Sequence, residues 1–132
     1  MPNVLTSQTI LDGERLAIIK VTGLVDTAET NVVKVDVSTL NPQGALACTG
    51  CKLNRIWYQV HGCQVELQYA ASTPVMIIAI PQNSSYFMDY SMFGGIPNNA
   101  GTGKTGDITF TTLDVSAGDT YSIVMEVIKT YG

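Results

Sequence analysis

The chain has 132 residues, 45% apolar and only 14% charged, with a net charge of −4 and a pI near 4.6. An average soluble domain is about 25% charged. Its seven Lys and Arg are scattered from Arg15 to Lys129 and form no basic stripe, which argues against a nucleic-acid partner. No apolar run approaches the roughly 20 residues needed to span a bilayer, and MPNVLTSQTI lacks the basic start and apolar stretch of a secretory signal. A soluble protein without a membrane partner is expected, and three Cys, an odd number, suit a reducing compartment.

In chain order, β-rich runs are predicted at Val4 to Ile10, Arg15 to Thr22, Val33 to Val37, Arg55 to Val60, Gln64 to Tyr69, Val75 to Ile80, Ile108 to Leu113 and Tyr121 to Tyr131, with a weaker one at Tyr86 to Tyr90. Val33-Lys34-Val35-Asp36-Val37 and Gln64-Val65-Glu66-Leu67-Gln68-Tyr69 alternate with period 2, the mark of a half-buried strand. Turn chemistry fills the gaps at Asp12-Gly13, Asn41-Pro42, His61-Gly62, Thr73-Pro74, Gly94-Gly95 and Ala117-Gly118-Asp119. No stretch keeps an i, i+3, i+4 apolar pattern, so helix content should be small. Eight or nine short strands predict an all-β fold: one domain over residues 1–132, a two-sheet antiparallel sandwich, jelly-roll-like, with 1–10 as an assembly arm or edge strand. The Gly- and Asn-rich stretch Ser91 to Gly106 is expected as a surface loop.

The last strand has two apolar faces. Tyr121, Ile123, Met125 and Val127 form one, while Val124 and Ile128 interrupt the polar side between Ser122 and Glu126. Such a strand is either central with a covered outer face or part of a contact between subunits.

Chemical motifs are few. Ala100-Gly101-Thr102-Gly103-Lys104-Thr105 lacks the first Gly of a phosphate loop, since Asn98 stands there, and is followed by a strand-like run rather than a helix. Cys48-x-x-Cys51 with His61-x-Cys63 is a chemically legitimate tetrahedral zinc set, with only half of the usual spacing. The competing reading makes Cys63 an ordinary buried residue and Cys48 and Cys51 loop thiols, without metal or other cofactor. A redox role for Cys48-x-x-Cys51 lacks its βαβ context. Asp107, Asp114, Asp119 and Glu126 read as solvated charges on turns and strand edges rather than catalytic pairs, and the single histidine, His61, sits in a turn. Trp57 and Tyr58 suggest a sugar-stacking surface, although neighbours on a strand face opposite ways.

Phe93-Gly94-Gly95-Ile96-Pro97-Asn98-Asn99-Ala100-Gly101, Lys104-Thr105-Gly106-Asp107-Ile108 and Ala117 to Val127, with Asp12-Gly13-Glu14-Arg15 and Lys20-Val21-Thr22-Gly23, resemble small virion structural proteins of tailed bacteriophages. The resemblance implies a non-enzymatic capsid decoration or cement protein. Such a protein is made in the host cytoplasm, often trimeric, and bound to the major capsid protein on the outside of the head. Low charge suits affinity gathered from many modest contacts repeated by symmetry, and the Val4 to Ile10 segment offers main-chain hydrogen bonds to a neighbour's sheet. Contact residues are expected at Phe93, Gly94, Gly95, Asn98, Asn99, Val124 and Ile128. The alternatives are a carbohydrate-binding β-sandwich module and, third, a zinc-stabilised interaction domain on Cys48, Cys51, His61 and Cys63.

Overall fold

The computed structural model describes residues 3–131; Met1, Pro2 and Gly132, at the ends of the expected arm and domain, lie outside the described residues. Among the described residues nine strands form: β1 (Val4–Asp12), β2 (Leu16–Val25), β3 (Val32–Val35), β4 (Cys48–His61), β5 (Gln64–Tyr69), β6 (Val75–Ile80), β7 (Ser84–Asp89), β8 (Ile108–Leu113) and β9 (Asp119–Tyr131). They make two antiparallel sheets, a five-stranded one ordered β1-β2-β9-β4-β7 and a four-stranded one ordered β3-β8-β5-β6.

The pairings are nested. β5 pairs with β6, β4 with β7, β3 with β8 and β2 with β9, as if one long hairpin had been rolled up. The lateral pairs β4–β9 and β5–β8 then close each sheet. This is the jelly-roll order, in which the two sheets cover each other's apolar faces. β1 adds to β2 as an edge strand, so of the two expectations for residues 1–10 the described part takes the edge-strand form.

The core lies between the sheets. From the five-stranded sheet come Ala17, Ile19 and Val21 of β2, Leu53 and Ile56 of β4, and Tyr121, Ile123, Met125 and Val127 of β9. Val65, Leu67, Tyr69, Ile80, Ile108 and Phe110 meet them from the other sheet. Fully burying such aliphatic or aromatic side chains contributes about 1.5–3 kcal/mol each. Phe110 meets Tyr121 edge-on at 5.8 Å between ring centroids, and the Tyr121 hydroxyl donates to Glu29 Oε1 at 2.7 Å. Glu29 in turn pairs with Lys34 at 2.6 Å, so this buried carboxylate is matched. A second buried charge, Lys129, donates to Asp12 Oδ1 at 2.6 Å, to the Asn41 carbonyl at 2.8 Å and to the Gly13 carbonyl at 2.9 Å.

Two local expectations are corrected. β3 stops at Val35, two residues short of the predicted Val37, because Asp36 caps a 3₁₀ turn over Val37–Thr39: its carboxylate accepts from the Ser38 amide at 3.0 Å and the Ser38 hydroxyl at 2.6 Å. Cys48 and Cys51 are not loop thiols, since β4 already begins at Cys48. A register irregularity between Cys48 and Gly50 turns both cysteines onto the buried face.

Candidate docking face

The outward side of the five-stranded sheet carries exposed Trp57 and half-buried Val124 and Ile128, three of the residues singled out from the sequence. Because strand pairs align directly, its side chains fall in rows. One row runs Phe87, Trp57, Val124, Lys20, Gln8 across all five strands. The row on one side is Ser85, Gln59, Ser122, Thr22, Thr6, and on the other Asp89, Arg55, Glu126, Ile18, Leu11. Beyond the latter lie Lys52, Ile128 and Leu16.

Trp57 and Phe87 stack with ring centroids 5.1 Å apart and an interplanar angle of 24°. They stay 39% and 41% exposed, far more than a core aromatic pair. With Val124, Gln59, Ser85 and Ser122 they line an open groove of about 450 Å³. Tyr58, the next residue, turns toward the other face and packs against the core, as alternation requires. In the adjoining row Arg55 Nη1 binds the buried Glu126 carboxylate at 3.0 Å, and its Nε lies 3.4 Å from Asp89. Hydrogen bonds from Ser91, then the charge of Arg55, hold Asp89 below its ordinary carboxylate pKa.

A short 3₁₀ turn, Ser91–Phe93, stands at the end of β7 and projects two large apolar side chains, Met92 at 94% exposure and Phe93 at 64%. The turn is well anchored. The Ser91 amide donates to Asp89 Oδ1 at 2.8 Å, the Tyr90 amide to the Asn54 carbonyl at 2.7 Å, and the Ile96 amide to the Leu53 carbonyl at 2.9 Å. Gly94 and Gly95 close it with φ of 80° and 92°. At Gly95 a Cβ would stand 3.1 Å from the Leu53 carbonyl oxygen, so both conformation and space select glycine.

Of the expected contact residues, Gly94 and Ile128 line one depression with Arg15, Asn54, Arg55, Ser91 and Glu126, and Gly95 packs beside Ile128. Phe93 projects from the same turn, and Val124 lies two rows from Ile128 along β9, next to Trp57. Asn98 and Asn99 do not join them. Asn98 accepts from the Ala100 amide at 3.1 Å and lines a separate groove with Thr49, Lys52 and Lys104, while Asn99 is exposed beside it. The sequence does not flag Met92, since a methionine in a Gly-rich loop carries no periodicity.

The four zinc-set residues are not brought together. Cys48 and Cys51 begin β4, whereas His61 ends it, about 30–45 Å away at the rise of an extended strand. Among the described residues no three His, Cys, Asp or Glu side chains group as metal ligands. The thiols are buried: desolvation pushes Cys51 up to about 12 and raises Cys48 and Cys63. Of the acidic residues read as solvated charges on turns and strand edges, Asp119 and Glu126 are instead buried, Glu126 on the central strand β9, because partners in the folded chain engage them. Asp107 accepts from the Val37 amide at 2.9 Å, Asp119 from the Ser116 amide at 2.8 Å, and Glu126 holds Arg55. Gly103 to Thr105 leads into strand β8 rather than a helix. No known family, curated protein or solved structure matches the chain.

Proposed function

We propose that the chain is a non-enzymatic virion structural protein, a capsid decoration or cement protein that stabilises a tailed-phage head by binding its outer shell and copies of itself. The resemblance stated from the sequence is one support, and the two-sheet sandwich of the expected kind is another. The observation that carries the reading furthest is the anchored turn bearing Met92 and Phe93. Large apolar side chains held out in water on a rigid support are what a partner surface buries, and residues of this kind dominate interface energetics. The test is co-sedimentation with shells assembled from the major capsid protein of its phage. Binding should saturate, and Met92→Ser/Phe93→Ser should weaken it by roughly thirtyfold or more. Wild-type protein left in the supernatant would reject the reading.

A second reading, carbohydrate binding, is favoured by one observation: the exposed Trp57–Phe87 stack flanked by Gln59, Ser85 and Ser122. It predicts retention on insoluble polysaccharide that Trp57→Ala abolishes and the Met92/Phe93 variant leaves intact.

A further inference from the structure

We infer that β1 is a self-pairing edge: two copies join antiparallel through their β1 strands across a two-fold axis, merging their five-stranded sheets into one.

The four sheet edges differ in how they are protected. β3 has four residues, contains Lys34 and breaks register between Val33 and Val35. β6 is bracketed by Pro74 and Pro81, neither of which has an amide to donate. β7 has six residues and ends on Asp89, which Arg55 and Ser91 engage. β1 has nine residues, VLTSQTILD, with no charge before Asp12, and every residue from Val4 to Leu11 is exposed. Its β2 side is paired from Val4 to Asp12, leaving the other backbone edge open. A long, uncharged, β-branched edge is a template for another strand, and natural sheets usually blunt such edges with charge, proline or shortness.

The composition of β1 selects a second β1 as the occupant. A two-fold axis normal to the sheet sets residues of equal parity opposite each other, so that both lie on the same face. Centred on Ser7, it places Thr6 against Gln8 and Leu5 against Thr9, with Val4 and Ile10 at the ends, beyond the regular pairs. Polar side chains meet at the centre, apolar ones gather at the ends, and no like charges meet. The irregularity between Thr9 and Leu11 limits the regular ladder to Val4–Thr9 and thereby favours this centre over one further along.

The test uses full-length protein and light scattering over a concentration series. Wild type should approach twice the 14.1 kDa chain mass. Thr6 is exposed and lies opposite Thr22, so Thr6→Lys spares the fold, checked by circular dichroism. Lysine at this edge should raise the dimer Kd by roughly tenfold or more. The double variant Thr6→Lys/Gln8→Glu sets the introduced ammonium against the partner's introduced carboxylate in this register only, and should restore the dimer. A monomer at every concentration would overturn the inference, as would a threefold mass that Thr6→Lys leaves unchanged. Neither result bears on shell binding, which the Met92/Phe93 variant reads separately.

Discussion

Replacing Lys129 by methionine keeps most of the side-chain volume and removes the charge. Its side chain has no solvent exposure, and its ammonium holds Asp12, the Asn41 carbonyl and the Gly13 carbonyl within 2.9 Å. It thereby ties the β1–β2 turn and the Asn41 loop to β9. Without it two carbonyls lose a donor, and the Asp12 carboxylate keeps the Asn41 amide at 2.8 Å. Breaking a buried pair from one side costs about 3–5 kcal/mol, a large part of the 5–15 kcal/mol typical of a domain. With a urea m-value on the order of 1.5 kcal/mol/M, the unfolding midpoint should drop by about 2–3 M. Far-UV circular dichroism across a urea series measures this. Adding Asp12→Asn should recover part of the loss, because the stranded charge disappears with it. A Lys129→Met cost below about 1 kcal/mol, or strictly additive effects in the double variant, would refute the assignment of this pair as a stabilising tether.

Burial, backbone conformation and stacking lead to four further expected outcomes. Cys51, 1% exposed, and its two buried companions should resist a disulfide reagent at pH 8 until the protein unfolds, a contrast read by absorbance with and without denaturant. Because the folded Cys51 pKa stands near 12 against an ordinary value of 9.0, its contribution is complete below pH 9 and lost as pH rises. Urea melts should show stability falling by about 1.4 kcal/mol per pH unit from this thiol between those values. Gly95→Ala should cost about 1–3 kcal/mol, through its φ of 92° and the 3.1 Å approach to the Leu53 carbonyl, and should raise amide exchange at Tyr90 and Ile96. Trp57, the single tryptophan, should be readily quenched by acrylamide, and Phe87→Ala should increase that quenching while costing about 0.5–1.5 kcal/mol beyond the lost area.

The strands were largely legible because their signal is local. Gln64–Tyr69, Val75–Ile80 and Ile108–Leu113 stand in the structure at their predicted bounds, and Val124 and Ile128 were readable as a second face by phase alone. What escaped depends on partners far away in the chain. Cys48-Thr49-Gly50-Cys51 reads as a loop, yet pairing with Lys129, Thr130 and Tyr131 of β9 draws it into a strand, and the irregularity there reverses the phase of one cysteine. Nothing in the sequence marks Lys129 as buried, because its partner Asp12 is 117 positions away. The Trp57–Phe87 stack needed the β4–β7 register, and β7 was the weakest of the predicted strands.

The nested pairing also constrains how the chain reaches this state. β9 lies in the middle of the five-stranded sheet, between β2 and β4, although Leu16 and its partner Ile128 stand at opposite ends of the sequence. Loops of that length must close before their contacts contribute, which places folding in the millisecond-to-second regime of sheet proteins rather than the microseconds of helical bundles. During synthesis the ribosome releases β2 and β4 well before residues 119–131. Until β9 emerges and slots between them, both strands expose edges that the finished protein never shows.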